Sequence, residues 1–128
     1  MASYEYLSSG DFNNLVSKNF AMSGYVTYSN DMIESLAYSH GITPTGIYQT
    51  PLNPMVKRYG MECGYCELYL DKFGTNNTNS PEQDKYLVLY DKHNEILQKL
   101  RRDITVEMIT GDATTSNSNS TTSLLYRG

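Results

Sequence analysis

Cys63 and Cys66, separated by Gly64 and Tyr65, are the residues whose type and spacing most directly suggest chemistry. A dithiol of that spacing is the redox centre of thiol-disulfide oxidoreductases, where it opens a helix and the helix dipole lowers the leading thiol's pKa. Here the pair falls well inside a predicted helix and on its apolar side, where thiols behave as small hydrophobes. Packing is therefore the expected role, and a thiol-disulfide oxidoreductase is the competing reading. A zinc site would need two further ligands, and the histidines, His40 and His93, belong to different elements. No serine-histidine-aspartate arrangement, phosphate-cradling glycine loop or carboxylate pair on an apolar wall stands out. The expectation is a protein that is not an enzyme, with no catalytic residues, metal or cofactor.

The elements that would position the two thiols are legible as caps and periodicity. Asn53-Pro54 is a helix start, because Asn caps and Pro at the first position gives up only an N–H that had no partner. Val56, Tyr59, Cys63, Cys66, Leu70 and Phe73 follow at alternating steps of three and four, the seam of a helix packed lengthwise against another, and Gly74 is placed to end it. Gly60 and Gly64 lie four apart on this helix at a cost of about 1 kcal/mol each relative to Ala. With Cys63 they make a smooth face that another helix or a tyrosine ring can approach closely. Ser80-Pro81-Glu82-Gln83 is a capping box that opens the partner helix. Its apolar stripe is Tyr86, Leu89, Tyr90, His93, Leu97 and Leu100, and Lys99, Arg101 and Arg102 crowd its end, where the dipole favours cations. Glu82, Asp84, Asp91 and Glu95 interleave with Lys85, Lys92 and Lys99 as a solvated face. A central antiparallel hairpin follows, with a packing seam of Tyr59, Gly60, Cys63, Gly64, Cys66, Leu70, Tyr86, Leu89, Tyr90 and Leu97.

Upstream, Ser8 or Ser9 with Asp11 announces a short first helix over roughly Gly10 to Asn19, carrying Phe12, Leu15, Val16 and Phe20 at helical spacing. After an interruption around Gly24, Ser29-Asn30-Asp31 reads as a second start. Its stripe is Met32, Ile33, Leu36 and Ala37, and Gly41 is placed to end it in a left-handed cap. Ile42 to Asn53, with Pro44, Gly46 and Pro51, reads as an extended loop. Downstream, Ile104, Val106 and Met108 alternate with Thr105, Glu107 and Ile109 as a strand ended by Gly111-Asp112. Ala113 to Ser123 is almost wholly Thr, Ser and Asn, a composition that cannot bury enough apolar area to offset its ordering entropy. Leu124-Leu125-Tyr126-Arg127 then reads as an apolar docking tip on a polar tether.

A chain of 128 residues supports one hydrophobic core. The fold class expected is mainly α: a small bundle of about four helices over residues 1–102, built on the central hairpin, plus an extended, strand-like C-terminal arm and tail over 103–128. A net charge of -4 argues against a protein that grips nucleic acid by neutralising phosphates. There is no apolar run of about eighteen residues and no basic stretch leading into an apolar one at the start, so a soluble, intracellularly made protein without a membrane segment is expected.

Three stretches in this order resemble the head-tail adaptor, or connector, family of tailed bacteriophages. They are Leu7-Ser8-Ser9-Gly10-Asp11-Phe12 at the first helix, Lys57-Arg58-Tyr59 through Glu67-Leu68-Tyr69 in the middle helix, and Asp84-Lys85-Tyr86 through Arg101-Arg102 leading into Ile104-Thr105-Val106. The resemblance spans about Tyr6 to Met108. It implies a structural subunit of the virion neck, made in the host cytoplasm, in which identical copies, twelve in the family, form a ring. The portal protein would lie on one side, the next neck or tail-completion protein on the other, and DNA would pass through without specific binding. In that setting Ile104, Val106, Met108, Leu124, Leu125, Tyr126 and Arg127 are the expected portal- or partner-docking residues. The long Ser/Thr/Asn tether and the cysteine pair depart from the family pattern. A generic helical interaction or regulatory domain is the remaining competitor.

Overall fold

A computed structural model describes residues 2–12, 20–75 and 81–111. Four helices make up the described fold: α1 (Ser23–Ser39), α2 (Pro54–Thr75), α3 (Pro81–Asp103) and the short α4 (Val106–Thr110), with 3-10 turns at Ser9–Asp11 and Pro44–Gly46. The chain is thus a mainly helical bundle, as its periodicity requires, and α2 is its central rod, with α1 packed along one side and α3 along another.

The core is where α1 meets α2. Val26, Ile33, Leu36 and Ala37 pack with Val56, Tyr59, Cys63, Leu68 and Tyr69, and Leu7, Phe12, Ile42, Ile47, Ile104 and Ile109 close it. Helix starts and stops follow local chemistry. Asn53 Oδ1 accepts from the backbone N–H groups of Met55 (2.8 Å) and Val56 (3.4 Å), so the cap read from Asn53-Pro54 is in place. At the end of α1, Gly41 adopts φ 76°. Its N–H reaches Tyr38 O and that of Ile42 reaches Ala37 O, a Schellman closure that brings the buried pair Ile42 and Ala37 together.

Three expectations are corrected. The first concerns α1, which begins at Ser23 rather than at Ser29-Asn30-Asp31 and passes through Gly24 without a break. Ser29 and Asn30 lie inside the helix and are buried, because Asn30 caps another segment's backbone instead of its own helix. Second, the helix expected over roughly Gly10 to Asn19 is, in its described part, one 3-10 turn, Ser9–Asp11, with Asp11 Oδ2 accepting from Ser8 N (2.9 Å); residues 13–19, with Leu15 and Val16, lie outside the described residues.

The third correction is the strand expected over Ile104 to Ile109, which is a helix end followed by α4. Thr105 caps it, its Oγ1 accepting from Met108 N (3.3 Å) while its own N–H points to Met108 Sδ (3.4 Å). Gly111, at φ 71°, ends it in the left-handed region. Ile104 and Ile109 are both buried and Val106 is exposed, a burial step of five that a cap and one helical turn produce and an alternating strand cannot. The N–H of Tyr48 donates to Ile109 O (2.9 Å), so residues 104–111 fold back onto the body. The capping box at Ser80 and the whole tail from Asp112 lie outside the described residues, and with them Leu124, Leu125, Tyr126 and Arg127.

Candidate functional site

The apolar stripe of α2 does not meet a single partner helix. Tyr59, Cys63 and Cys66 are buried, while Leu70, the next residue of the expected stripe, is 46% exposed. Tyr28 and Met32 from α1 stand on one side of the stripe, and Tyr90, Asn94, Leu97, Gln98 and Arg101 from α3 on the other. Between them runs a groove of about 230 Å³ that Cys63, Cys66 and Glu67 also line. The α3 members of the seam, Tyr86, Leu89, Tyr90 and Leu97, are each only half-buried against the core.

Gly60 and Gly64 face away from α3. A Cβ on Gly60 would meet Ile33 Cδ1 at 2.6 Å and Leu7 Cδ1 at 2.8 Å, and one on Gly64 would meet Ser29 Oγ at 2.5 Å and Phe12 Cε1 at 2.7 Å. They are therefore the smooth face expected, but the partners are α1 and the N-terminal segment. Of the two expected neighbours, another helix or a tyrosine ring, the helix is α1, and the ring that takes advantage of Gly64 is Phe12.

Burial pushes the Cys63 thiol up to about 12, helped by the neighbouring Cys66 and Glu62 and only partly opposed by a hydrogen bond with Tyr59 and by the charge of Arg101. Cys66 is pushed up to about 12 by burial and by Glu62. Both thiols are free, and both are protonated at neutral pH. The pair begins at the tenth residue of α2 and not at its N-terminus, so the dipole that activates a redox dithiol is out of reach.

A polar cluster that sequence reasoning missed ties α2 to α3. Glu62 is 2% exposed; its Oε1 lies 2.5 Å from His93 Nδ1 and its Oε2 accepts from Arg58 Nε at 2.9 Å. Burial alone would push this carboxyl up, but the bonds to His93 and Arg58 outweigh it and hold Glu62 below the usual carboxylate range. The His93 ring sits 5.3 Å from both the Tyr65 and Tyr69 rings, which are parallel and 6.3 Å apart, and Phe12 meets Tyr65 edge-on at 5.3 Å. The signal was present in Arg58 and Glu62 at i, i+4 and in a histidine on the α3 stripe. It reads as an ordinary surface pair because charge on a helix is usually solvated.

A second polar device holds the N-terminal segment. Asn30 Oδ1 accepts from Tyr6 N (3.1 Å) and Leu7 N (2.9 Å) and its Nδ2 donates to Leu7 O (3.4 Å); Glu34 Oε2 accepts from Ser3 N (2.8 Å), Tyr4 N (3.3 Å) and the Tyr6 hydroxyl (2.7 Å). Two side chains one turn apart on α1 thus read the backbone of an extended segment and seat Leu7 against Gly60. Burial and the Glu34 carboxylate both push the Tyr6 phenol up.

Of the described residues expected to dock a partner, Ile104 is buried in the chain's own core, Met108 is half-buried and Val106, at 41%, is exposed. Outward-facing apolar groups lie instead along the hairpin: Leu70 on α2, and Leu87 and Val88 on α3, where Val88 is 65% exposed. Among the described residues, no three His, Cys, Asp or Glu side chains converge as metal ligands, and no helix is long and apolar enough to cross a membrane. The arrangement offers surfaces and internal ties, and the reading of the site rests on this geometry alone, for no protein-family model, curated protein or solved structure matches the chain.

Proposed function

We propose that this chain is a structural assembly subunit of the head-tail adaptor kind: copies associate side by side into a ring that joins the portal protein to the next neck or tail component, and no chemistry is performed. The observation that carries the reading is the one-sided packing of α3. This 23-residue helix has no fully buried side chain among those described, yet it presents Leu87 and Val88 to solvent, as α2 does Leu70. A helix with apolar groups on its open side reaches core-like burial when another surface covers it. Tyr86 and Tyr90, half-buried beside this face, supply large area with few rotamers to freeze and keep a hydroxyl for the rim. The net acidic balance suits a ring around a DNA channel, since like charge keeps the duplex from adhering.

Native mass spectrometry and negative-stain microscopy of the full chain, alone and with a tailed-phage portal protein, test the proposal. Rings on the portal that are abolished by Leu87→Asp with Val88→Asp, in a protein whose helix content is unchanged, are the expected result. A chain that stays monomeric with and without portal overturns it.

A further inference from the structure

We infer that the groove between α1 and α3 is a peptide-docking site whose occupant is this chain's own Leu124-Leu125-Tyr126-Arg127 tip. The inference stands on the groove and the tip, and does not require the ring.

The groove has the chemistry of a receptor. Met32, Cys63 and Cys66 line an apolar bed, Tyr28, Tyr59 and Tyr90 stand around it, and its volume of about 230 Å³ accommodates one or two large side chains and no more. Glu67 also lines it, half-buried, and makes no hydrogen bond or ion pair among the described residues. Arg101, with Asn94 and Gln98, lines the α3 wall of the same groove but forms no ion pair with Glu67, and a half-buried carboxylate left without an ion pair is a place for a guanidinium. The tip answers each feature in order: Leu124-Leu125-Tyr126 offers apolar side chains, one or two of which fill the bed, and Arg127 then supplies a guanidinium for Glu67.

Reach favours the chain's own tip. Gly111 packs on Tyr48 and shares a cavity with Asn53 and Pro54, so the tail leaves the body at the N-terminal end of α2. From there to Glu67 is thirteen residues of helix, about 20 Å at 1.5 Å per residue. Asp112 to Ser123 is a tether of twelve residues. Its extended limit is about 40 Å and its mean end-to-end distance about 20 Å, which matches the span. A matched tether holds the tip at an effective concentration of about 1 mM, far above that of a second molecule in dilute solution.

Methyl-labelled full-length protein provides the test. Nuclear Overhauser contacts from the Leu124 and Leu125 methyls to Met32 and Leu97, unchanged on hundredfold dilution, are expected. Glu67→Arg lowers the docked population about fivefold and Glu67→Arg with Arg127→Glu restores it, the effect of one half-exposed pair. Leu124 and Leu125 methyls that contact nothing in the body, or contacts that fade on dilution because they come from another copy, would overturn the inference. So would a charge swap that fails to restore docking in a protein of unchanged helix content.

Discussion

Replacing Gly64 by Ala tests whether α1, the N-terminal segment and α2 meet as closely as described. Helix propensity alone favours Ala by about 1 kcal/mol in a helix interior. Against it, the added Cβ would stand 2.5 Å from Ser29 Oγ, 2.7 Å from Phe12 Cε1 and 3.0 Å from Phe12 Cζ. Neither neighbour has anywhere to go: Ser29 is wholly buried, and the Phe12 ring is locked edge-on against Tyr65. Overpacking of this kind costs typically 1–3 kcal/mol, and here the contact falls on two neighbours at once, so the upper part of that range applies. The net expectation is a loss of about 1–2 kcal/mol, or a midpoint lowered by roughly 3–6 °C for a chain of this size. Gly24→Ala is the control, since nothing lies within 4 Å of a Cβ there; it gains about 0.5 kcal/mol. Urea unfolding followed by circular dichroism reads both. A Gly64→Ala protein as stable as the parent, beside a stabilised Gly24→Ala protein, would refute the close approach. Combining Gly64→Ala with Ser29→Ala removes the shortest contact, and the pair should recover about 1 kcal/mol relative to the sum of the single changes.

Ser29→Ala on its own should be neutral or stabilising by up to about 1 kcal/mol in the same unfolding assay, because its buried hydroxyl has no hydrogen-bond partner. Glu62, held below its ordinary value of 4.5, contributes stability that is fully present above pH 4.5 and is lost as pH falls through its lower folded value. Urea midpoints should therefore fall on acidification below 4.5, and Glu62→Gln should flatten that part of the profile; a variant that keeps the full acid slope would show that another carboxylate causes it. With both thiols pushed up to about 12, iodoacetamide at pH 8 should alkylate Cys63 and Cys66 only slowly in the native chain and rapidly in urea, and mass spectrometry showing fast native labelling of either one would contradict their burial.

What the sequence made legible is local. Asn53-Pro54, Pro81 and Gly41 act within four or five residues of themselves, so each places a helix boundary without knowledge of the fold. The misreadings arise where a side chain is used at a distance. Ser29 and Asn30 are good capping residues, yet Asn30 reads the backbone of Tyr6 and Leu7, more than twenty positions away, and no local pattern announces that use. Ile104 to Ile109 alternates over too few residues to outweigh a Thr105 cap and a Gly111 stop, both visible in the sequence and both helical signals. The stripe of α2 was legible, but not that α1 and α3 would straddle it and leave a groove. Periodicity gives the face of a helix and not the number of elements that share it.

The same geometry explains how α3 stays in place while burying so little. Its apolar side chains are shared with solvent, so hydrophobic area alone specifies its position along α2 weakly. Register comes from the point, among the described residues, where α3 enters a buried polar site: His93 against the Glu62 carboxylate, between the Tyr65 and Tyr69 rings, with Arg58 completing the carboxylate's bonds. Sliding α3 by a turn would leave that carboxylate buried with one partner gone, which costs far more than the pair itself contributes. A helix pinned by a polar tie and covered on one side only is fixed in position and open to contact. Leu87 and Val88 can be covered by another molecule without repacking the core that α1 and α2 form between them.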